Sequence, residues 1–99
     1  MIRHVVAWKL SATDPAQKQA DAATITTLLS GLVGVVPSIS ALSVGPNMAY
    51  ADVNWDVVLV ADFETLADLD AYQQHPAHLA VVPEVKARAA ARASVDIEV

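Results

Sequence analysis

Tyr72, His75 and His78 recur at three-residue spacing and bring together side chains that could move a proton. They include two of the three histidines and one of the two tyrosines of the chain. Imidazole is the side chain whose charge changes near neutral pH, and a phenol can donate a hydrogen bond. The stretch therefore indicates where general acid–base chemistry would take place. The substrate is not identified by this stretch.

Two short helices must position these side chains, with a corner between them at His75. Apolar and aromatic side chains recur at helical spacing before the corner, at Leu66, Leu69 and Tyr72. Pro76 cannot continue that helix because it lacks an N–H group, but it is favoured at the first position of a new helix. His78 is therefore expected in the first turn of the second helix. The positive potential of a helix N-terminus favours a neutral, proton-accepting imidazole there.

Each residue of this stretch also has a structural interpretation. His78 could satisfy backbone groups at the corner and fix the two helices. Tyr72 could be a core tyrosine with a satisfied hydroxyl. The place of His75 directly before a proline favours a capping role. A pocket role remains open for all three.

His4, the third histidine, belongs to a predicted strand over residues 2–10. Period-two alternation places it on one face of that strand with large apolar side chains. That face consists of Ile2, His4, Val6, Trp8 and Leu10. It predicts either a satisfied core histidine or a histidine in a pocket wall. The aromatic residues Trp8, Trp55 and Phe63 are expected in the core or in a pocket wall.

A metal site formed by the three histidines is the remaining chemical interpretation. Three imidazoles could hold zinc and leave one coordination position open. However, His75 and His78 straddle a helix start, so their rings need not converge, and no nearby carboxylate completes a recognisable pattern. Motifs for dinucleotide binding, phosphate chemistry and Ser or Cys nucleophiles are missing. We therefore predict no metal and no cofactor.

The composition limits the class of protein. Hydrophobic residues make up 55% of the 99 residues, the net charge is −5, and there is no cysteine. The negative charge argues against nucleic-acid binding, and no run reaches the roughly 18 apolar residues of a membrane span. The absence of cysteine and of signal-peptide features indicates a cytoplasmic protein. The positively charged residues near the end of the sequence, Lys86, Arg88 and Arg92, are interpreted as parts of a solvated surface.

The chain reads as one domain over residues 1–99 with the order β-α-β-β-α-β. Strands are expected at 2–10, 39–44, 55–63 and 91–99, and helices at 15–32, 66–72 and 77–90, the last interrupted at Pro83. The first helix is expected to have Asp14 as its N-cap and Pro15 in its first turn. Its expected buried stripe consists of Ala16, Ala20, Ile25, Leu28, Leu29 and Leu32. The order of elements predicts an α+β, ferredoxin-like protomer, a four-stranded antiparallel sheet with helices on one face. The third strand is apolar on both faces, so a second sheet must cover the uncovered face. A homodimer with two packed sheets, a dimeric α/β barrel, satisfies this need.

The sequence resembles the stress-responsive α/β-barrel family, the Dabb domain, over nearly its whole length. The resemblance rests on a histidine in the first strand, on Trp55-Asp56 opening the third strand, and on the signature Leu69-x-x-Tyr72-x-x-His75-Pro76-x-His78. It implies a ferredoxin-like protomer and a homodimer whose sheets form a shared barrel. Plant members similar to it include a polyketide cyclase that closes a linear tetraketide by aldol condensation.

By that resemblance, His78 is the general base, Tyr72 polarises or orients a carbonyl, and His4 lines the pocket. A further pocket histidine of the cyclase falls where this chain has Val57. Two hypotheses follow. The first is a cofactor-free cyclase or other proton-transfer enzyme acting on a polyketide-like or aromatic substrate. The second is a non-catalytic dimeric module that binds a hydrophobic ligand or serves in stress response.

Overall fold

The computed structural model describes all residues from Met1 to Val99. The strands are β1 (Ile2–Leu10), β2 (Ala41–Pro46), β3 (Val57–Phe63) and β4 (Ala89–Glu98). The helices are α1 (Pro15–Ser30), α2 (Leu66–Gln74) and α3 (Pro76–Arg88). The predicted order β-α-β-β-α-β is confirmed, and the second helical region is divided into α2 and α3 at His75. None of the three helices is long and apolar enough to cross a membrane.

The four strands form one antiparallel sheet with the spatial order β2-β3-β1-β4, as the ferredoxin-like prediction requires. The central strand β1 pairs along its length with both neighbours, so that Val5 lies opposite Val60 of β3 and Val95 of β4. The chain ends therefore meet in the sheet, because β1 and β4 are adjacent. Residues of the first and last strands share one surface as a result.

Two strands begin two residues later than predicted. The turn before β2 continues through Ile39, whose N–H donates to the Val36 carbonyl at 3.3 Å. Before β3, the Asp56 N–H donates to the Trp8 carbonyl at 2.9 Å, and the Asp56 carboxylate accepts from the Leu10 N–H at 2.8 Å. These bonds tie Asp56 to β1 just before the regular pairing starts at Val57.

The cap predicted for α1 is confirmed. Asp14 accepts a hydrogen bond from the Gln17 N–H at 2.9 Å, and Pro15 occupies the first helical position. The buried residues of α1 are Ala22, Ile25 and Leu29. The predicted stripe is wrong at its start, where Ala16 and Ala20 are exposed, because only the second half of α1 is covered by the core.

The corner between α2 and α3 forms as predicted, with two differences. Thr65 caps α2 by accepting from the Asp68 N–H, and Leu69 and Tyr72 are buried, but Leu66 is 63% exposed. The helix α3 runs through Pro83 without the predicted interruption. Pro83 is exposed, and the carbonyl that it leaves unpaired belongs to the exposed Leu79, so water can replace the lost bond.

The core lies between the helices and one face of the sheet. On β1 and β3 alternate residues are buried there, including His4, Val6 and Trp8. The opposite side of the sheet, here called the open face, consists chiefly of Val5, Ala7, Val58, Val60, Ala93, Val95 and Ile97. No helix covers it, and Val95 is 61% exposed. The apolar sequence of β3 is thus explained by a core face and an uncovered apolar face.

Candidate functional site

A cavity of about 470 Å³ opens on the helix side of the sheet, between β1 and β4 below and the α2–α3 corner above. We call it the helix-side cavity. Its volume falls within the range of about 300–1,000 Å³ that is usual for small-ligand sites. Tyr72, His78 and His4 all line it, so the structure brings together the three site residues that the sequence pattern linked across the chain.

One face of α3 forms the roof of the cavity. Its lining residues are His78, Val81, Val82, Val85 and Lys86. They follow the i, i+3, i+4, i+7, i+8 spacing that puts side chains on one side of a helix. The roof therefore carries a histidine at one end, an apolar middle and a cation at the other end.

The environment of His78 favours a neutral, proton-accepting imidazole. Its Nδ1 lies 3.0 Å from the Gln73 carbonyl oxygen, which can only accept a hydrogen bond. Nδ1 must therefore carry the proton, and the neutral ring has its lone pair on Nε2. Burial lowers the pKa of His78, against an opposing effect of the Gln73 carbonyl. The unprotonated ring is thus favoured at neutral pH.

Tyr72 supplies a phenol beside this imidazole. The two ring centroids are 4.5 Å apart, and Phe63 supports the other side of the Tyr72 ring at 5.1 Å. Burial raises the pKa of Tyr72 to about 12, so the hydroxyl keeps its proton near neutral pH. The hydroxyl has no hydrogen-bonding partner in the protein and is not sealed from solvent, since Tyr72 lines the cavity. It is available to donate to a ligand.

His4 reaches the same cavity from the floor, where its Nδ1 contacts the Asp96 carboxylate at 2.5 Å. A carboxylate accepts, so Nδ1 carries a proton and Nε2 is the ring's other polar atom. The His4 and Tyr72 ring centroids are 6.3 Å apart in an edge-to-face arrangement. His4 is therefore a satisfied histidine and a wall residue at the same time.

Of the other predicted pocket residues, only Trp8 lines the helix-side cavity, and Trp55 is 38% exposed and does not line it. Val57 and Phe63 are fully buried in the core, and Phe63 lies behind the Tyr72 ring. His75 is the N-cap of α3, because its Nδ1 accepts from the Ala77 N–H at 3.0 Å. The pocket assignment is corrected for these three residues, and the capping interpretation of His75 agrees with this bond.

Besides Gln73, the sequence pattern missed four polar residues of the site. Arg92, Ser94 and Asp96 alternate along β4, and Lys86 ends the α3 roof; all four line the cavity. All four residues are exposed, as their polarity predicts, but they lie at the mouth of the cavity and not on a surface away from it. The one signal that could have located them is the adjacency of β1 and β4, which pairs Asp96 with His4.

Two other features lie outside the site. No group of three or more His, Cys, Asp or Glu side chains is arranged to hold a metal ion. The loop over residues 48–54 does not line the helix-side cavity, so it does not cover it.

Comparison with known proteins assigns this chain to a family. The sequence pattern of the Dabb family, described as the stress responsive A/B barrel domain, matches residues 2–99. The chain belongs to the Dabb family. No curated protein matches the Dabb chain.

Solved structures agree in fold. A dimeric protein of unknown function with a ferredoxin-like fold from Bacteroides fragilis has a TM-score of 0.88 at 27% identity, over 99% of this Dabb chain and 95% of that chain. A dimeric ferredoxin-like protein of unknown function from Thermobifida fusca has a TM-score of 0.83 at 26% identity, over 99% and 90%. A hydroxynitrile lyase from Passiflora edulis has a TM-score of 0.79 at 14% identity, over 99% and 92%, which shows the shared fold alone.

Proposed function

We propose that this Dabb protein is a cofactor-free proton-transfer enzyme that acts on a small carbonyl compound in the helix-side cavity. The observation that carries the proposal is the pairing of an unprotonated His78 Nε2 with an unpartnered Tyr72 hydroxyl, on rings 4.5 Å apart. One group can remove a proton while the other donates a hydrogen bond. A polyketide-like or aromatic substrate fits the apolar roof of α3, as in a cyclase-type aldol closure.

In the reaction, His78 Nε2 removes a proton from the carbon next to the substrate carbonyl. The electrons of the broken C–H bond form the enolate, and the negative charge collects on the carbonyl oxygen. The Tyr72 hydroxyl donates to that oxygen, and its high pKa lets it stabilise the charge without losing its own proton. In a cyclisation, the enolate carbon attacks a second carbonyl carbon of the substrate, the π electrons of that carbonyl move to its oxygen, and the resulting alkoxide takes the proton from the His78 imidazolium. Without a second carbonyl, the enolate carbon takes the proton back from the imidazolium.

The remaining site residues hold this pair in place. The Gln73 carbonyl fixes the tautomer and the orientation of His78, as the orienting partner of a general base does. Phe63 packs against Tyr72 from the core side. His4, held by Asp96, supports the other edge of the phenol. Because no step needs an ion or an organic cofactor, the chain's own side chains supply the whole proton path.

We also propose that the working unit is a homodimer formed through the open face. Several structural neighbours are dimeric. The open face carries valines and an isoleucine, and Val58, Val95 and Ile97 are 43%, 61% and 46% exposed in the single chain. Apolar patches of this kind commonly mark an interface. A second copy with the same face would cover them by sheet-on-sheet packing.

Deuterium uptake tests the proposed reaction. Aryl ketones and β-diketones are incubated in D2O, and exchange at the carbon next to the carbonyl is followed by NMR. We expect exchange above the buffer rate that falls about 10²–10⁴-fold in His78→Gln, the usual contribution of a positioned base. Tyr50→Phe, which changes the exposed second tyrosine, is the matched control for Tyr72→Phe. Absence of His78-dependent exchange across the whole series would contradict the proposal.

The second candidate is a non-catalytic dimeric module that binds a hydrophobic ligand or serves in stress response. The observation in its favour is the apolar roof formed by Val81, Val82 and Val85, together with Val57 where the resembling cyclase has a histidine. Ligand-induced thermal stabilisation that is unchanged in His78→Gln, with no exchange activity, would favour this candidate. Turnover that depends on His78 would exclude it.

A further inference from the structure

Two cations at the helix-side cavity have no carboxylate partner. The chain contains six Lys and Arg residues and eleven Asp and Glu residues. Three cations are paired within 4.0 Å, namely Arg3, Lys18 and Arg88. Arg92, Lys86 and Lys9 are not, although acids outnumber bases, and of these three only Arg92 and Lys86 line the cavity. Scarcity of acids therefore does not explain why these two positive charges are left without partners.

The two cations lie at the same end of the cavity, away from the His4–Asp96 pair. Lys86 follows His78 by two helical turns on the same face, about 12 Å along the helix axis at about 1.5 Å per residue. Arg92 lies opposite Trp8 in the β1–β4 register, and His4 lies opposite Asp96. These pairs are four residues apart, or about 13 Å along the strand. The one carboxylate of the cavity is thus engaged by His4 at the opposite end.

Arg92 lines the cavity and makes one side-chain hydrogen bond in the protein. Its Nη1 lies 3.2 Å from the Ser94 hydroxyl, which also lines the cavity and retains a proton of its own to donate. The charge of Arg92 reaches the reacting pair, since it lowers the pKa of Tyr72 and of His78 as a smaller effect than burial. A planar guanidinium with a neighbouring hydroxyl is well suited to a carboxylate, which it can bind through two parallel hydrogen bonds.

We propose that the ligand of the helix-side cavity is a carbonyl compound with an apolar or aromatic body and a carboxylate at the far end, held by Arg92 with Lys86 beside it. The apolar body lies under Val81, Val82 and Val85, between the cations and the Tyr72–His78 pair. The binding of the anion stands on the cations alone. The proton transfer at the other end of the ligand rests on the proposed function.

The anchor defines the geometry of the substrate. The carboxylate is fixed at the cation end, so the carbon acid must lie one aromatic ring or a similar spacer away. The C–H bond that breaks there gives its proton to His78 Nε2 and its electron pair to the enolate oxygen, which accepts from Tyr72. A molecule whose carboxylate is replaced by a neutral amide keeps the same shape and loses only the anchor.

The matched pair of 4-acetylbenzoate and 4-acetylbenzamide tests the anchor. The dissociation constant of each is measured by titration calorimetry on the full chain. We expect the acid to bind at least about tenfold more tightly than the amide, the range of charge-assisted hydrogen bonds to a carboxylate. Arg92→Gln should remove this preference, and higher salt should weaken it. Arg88→Gln, which removes one positive charge nearby from a side chain that does not line the cavity, should retain it.

Three results would overturn the proposal: no binding of either probe, equal binding of acid and amide, or an acid preference that survives Arg92→Gln. Exchange of the acetyl protons into D2O, read on the same samples, separates this proposal from the proposed function. If the acid binds through Arg92 but no exchange depends on His78, the anion site is supported and the proposed proton-transfer function is contradicted. If both probes exchange equally through His78, the proton-transfer function is supported and the anion site is contradicted.

Discussion

Removal of the Tyr72 hydroxyl separates a functional tyrosine from a structural one. Tyr72→Phe deletes one oxygen and keeps the ring contacts with Phe63 and His78. A typical intramolecular hydrogen bond contributes about 0.5–1.5 kcal/mol to stability, but no side-chain hydrogen bond of the protein involves this hydroxyl. We therefore expect the free energy of unfolding to change by less than about 0.5 kcal/mol, or to rise, as is common when a polar group kept for function is removed.

The same substitution should impair the reaction. Loss of one donor to a developing oxyanion typically lowers the rate about 10²–10³-fold, so exchange should fall by that amount while stability is retained. Unfolding in urea is followed by far-UV circular dichroism at one fixed protein concentration, because dimerisation would make the transition depend on concentration. Tyr50→Phe, at 79% exposure, should leave both quantities unchanged.

A structural and a functional Tyr72 hydroxyl predict different changes in stability. A loss of about 1.5 kcal/mol or more in Tyr72→Phe, with an unchanged denaturant slope, would show that the hydroxyl is a structural group with an internal partner. In that case the proposed donor role would be refuted. Leu59→Ala, which empties a fully buried position, gives the scale for a true core defect, about 2–5 kcal/mol.

Three further perturbations follow from the site and the open face. The pKa of His78 is lowered in the folded chain from its ordinary value of 6.5, so the unfolded chain binds more protons just below that pH. The stability that His78 contributes is therefore complete above pH 6.5 and is lost as the pH falls below it. A pH titration of stability should show this slope in the wild type and a reduced one in His78→Gln. His75→Ala removes the α3 cap and should cost about 0.5–2 kcal/mol of unfolding free energy without loss of exchange. Val95→Asp should give a monomer by light scattering, whereas Leu66→Asp, exposed on α2, should not; a dimeric Val95→Asp would place the interface elsewhere.

Local signals in the sequence determined most of the elements. The strand predicted over residues 2–10 matches β1, and the Asp14 cap and Pro15 start of α1 are confirmed. The proline after His75 correctly divided α2 from α3, because a missing N–H and a fixed φ act on adjacent residues only. Pro83 has the same chemistry but does not end its helix. The difference is tertiary, since α3 is held by packing on Val85 and its unpaired carbonyl lies toward solvent.

The site was predictable only in the part encoded at short range. The Tyr72–His78 pair follows from helical spacing across a corner, and the structure places both residues at one cavity. The tautomer of His78 was not predictable, because it depends on a contact with the Gln73 carbonyl whose geometry the corner sets. The exclusion of Val57 from the cavity likewise depends on which part of the sheet the helices cover.

By itself, the sequence determined the order of elements, the helix corner and the proximity of Tyr72 and His78, because capping, proline chemistry and hydropathy period act over a few residues. The tertiary structure alone decided the partner of His4 and the cation end of the cavity. Asp96 and Arg92 lie about ninety residues from His4 and Trp8 along the chain, and the antiparallel register of β1 and β4 brings each pair together. That register is set by pairing of the whole sheet, which no local pattern in either strand specifies.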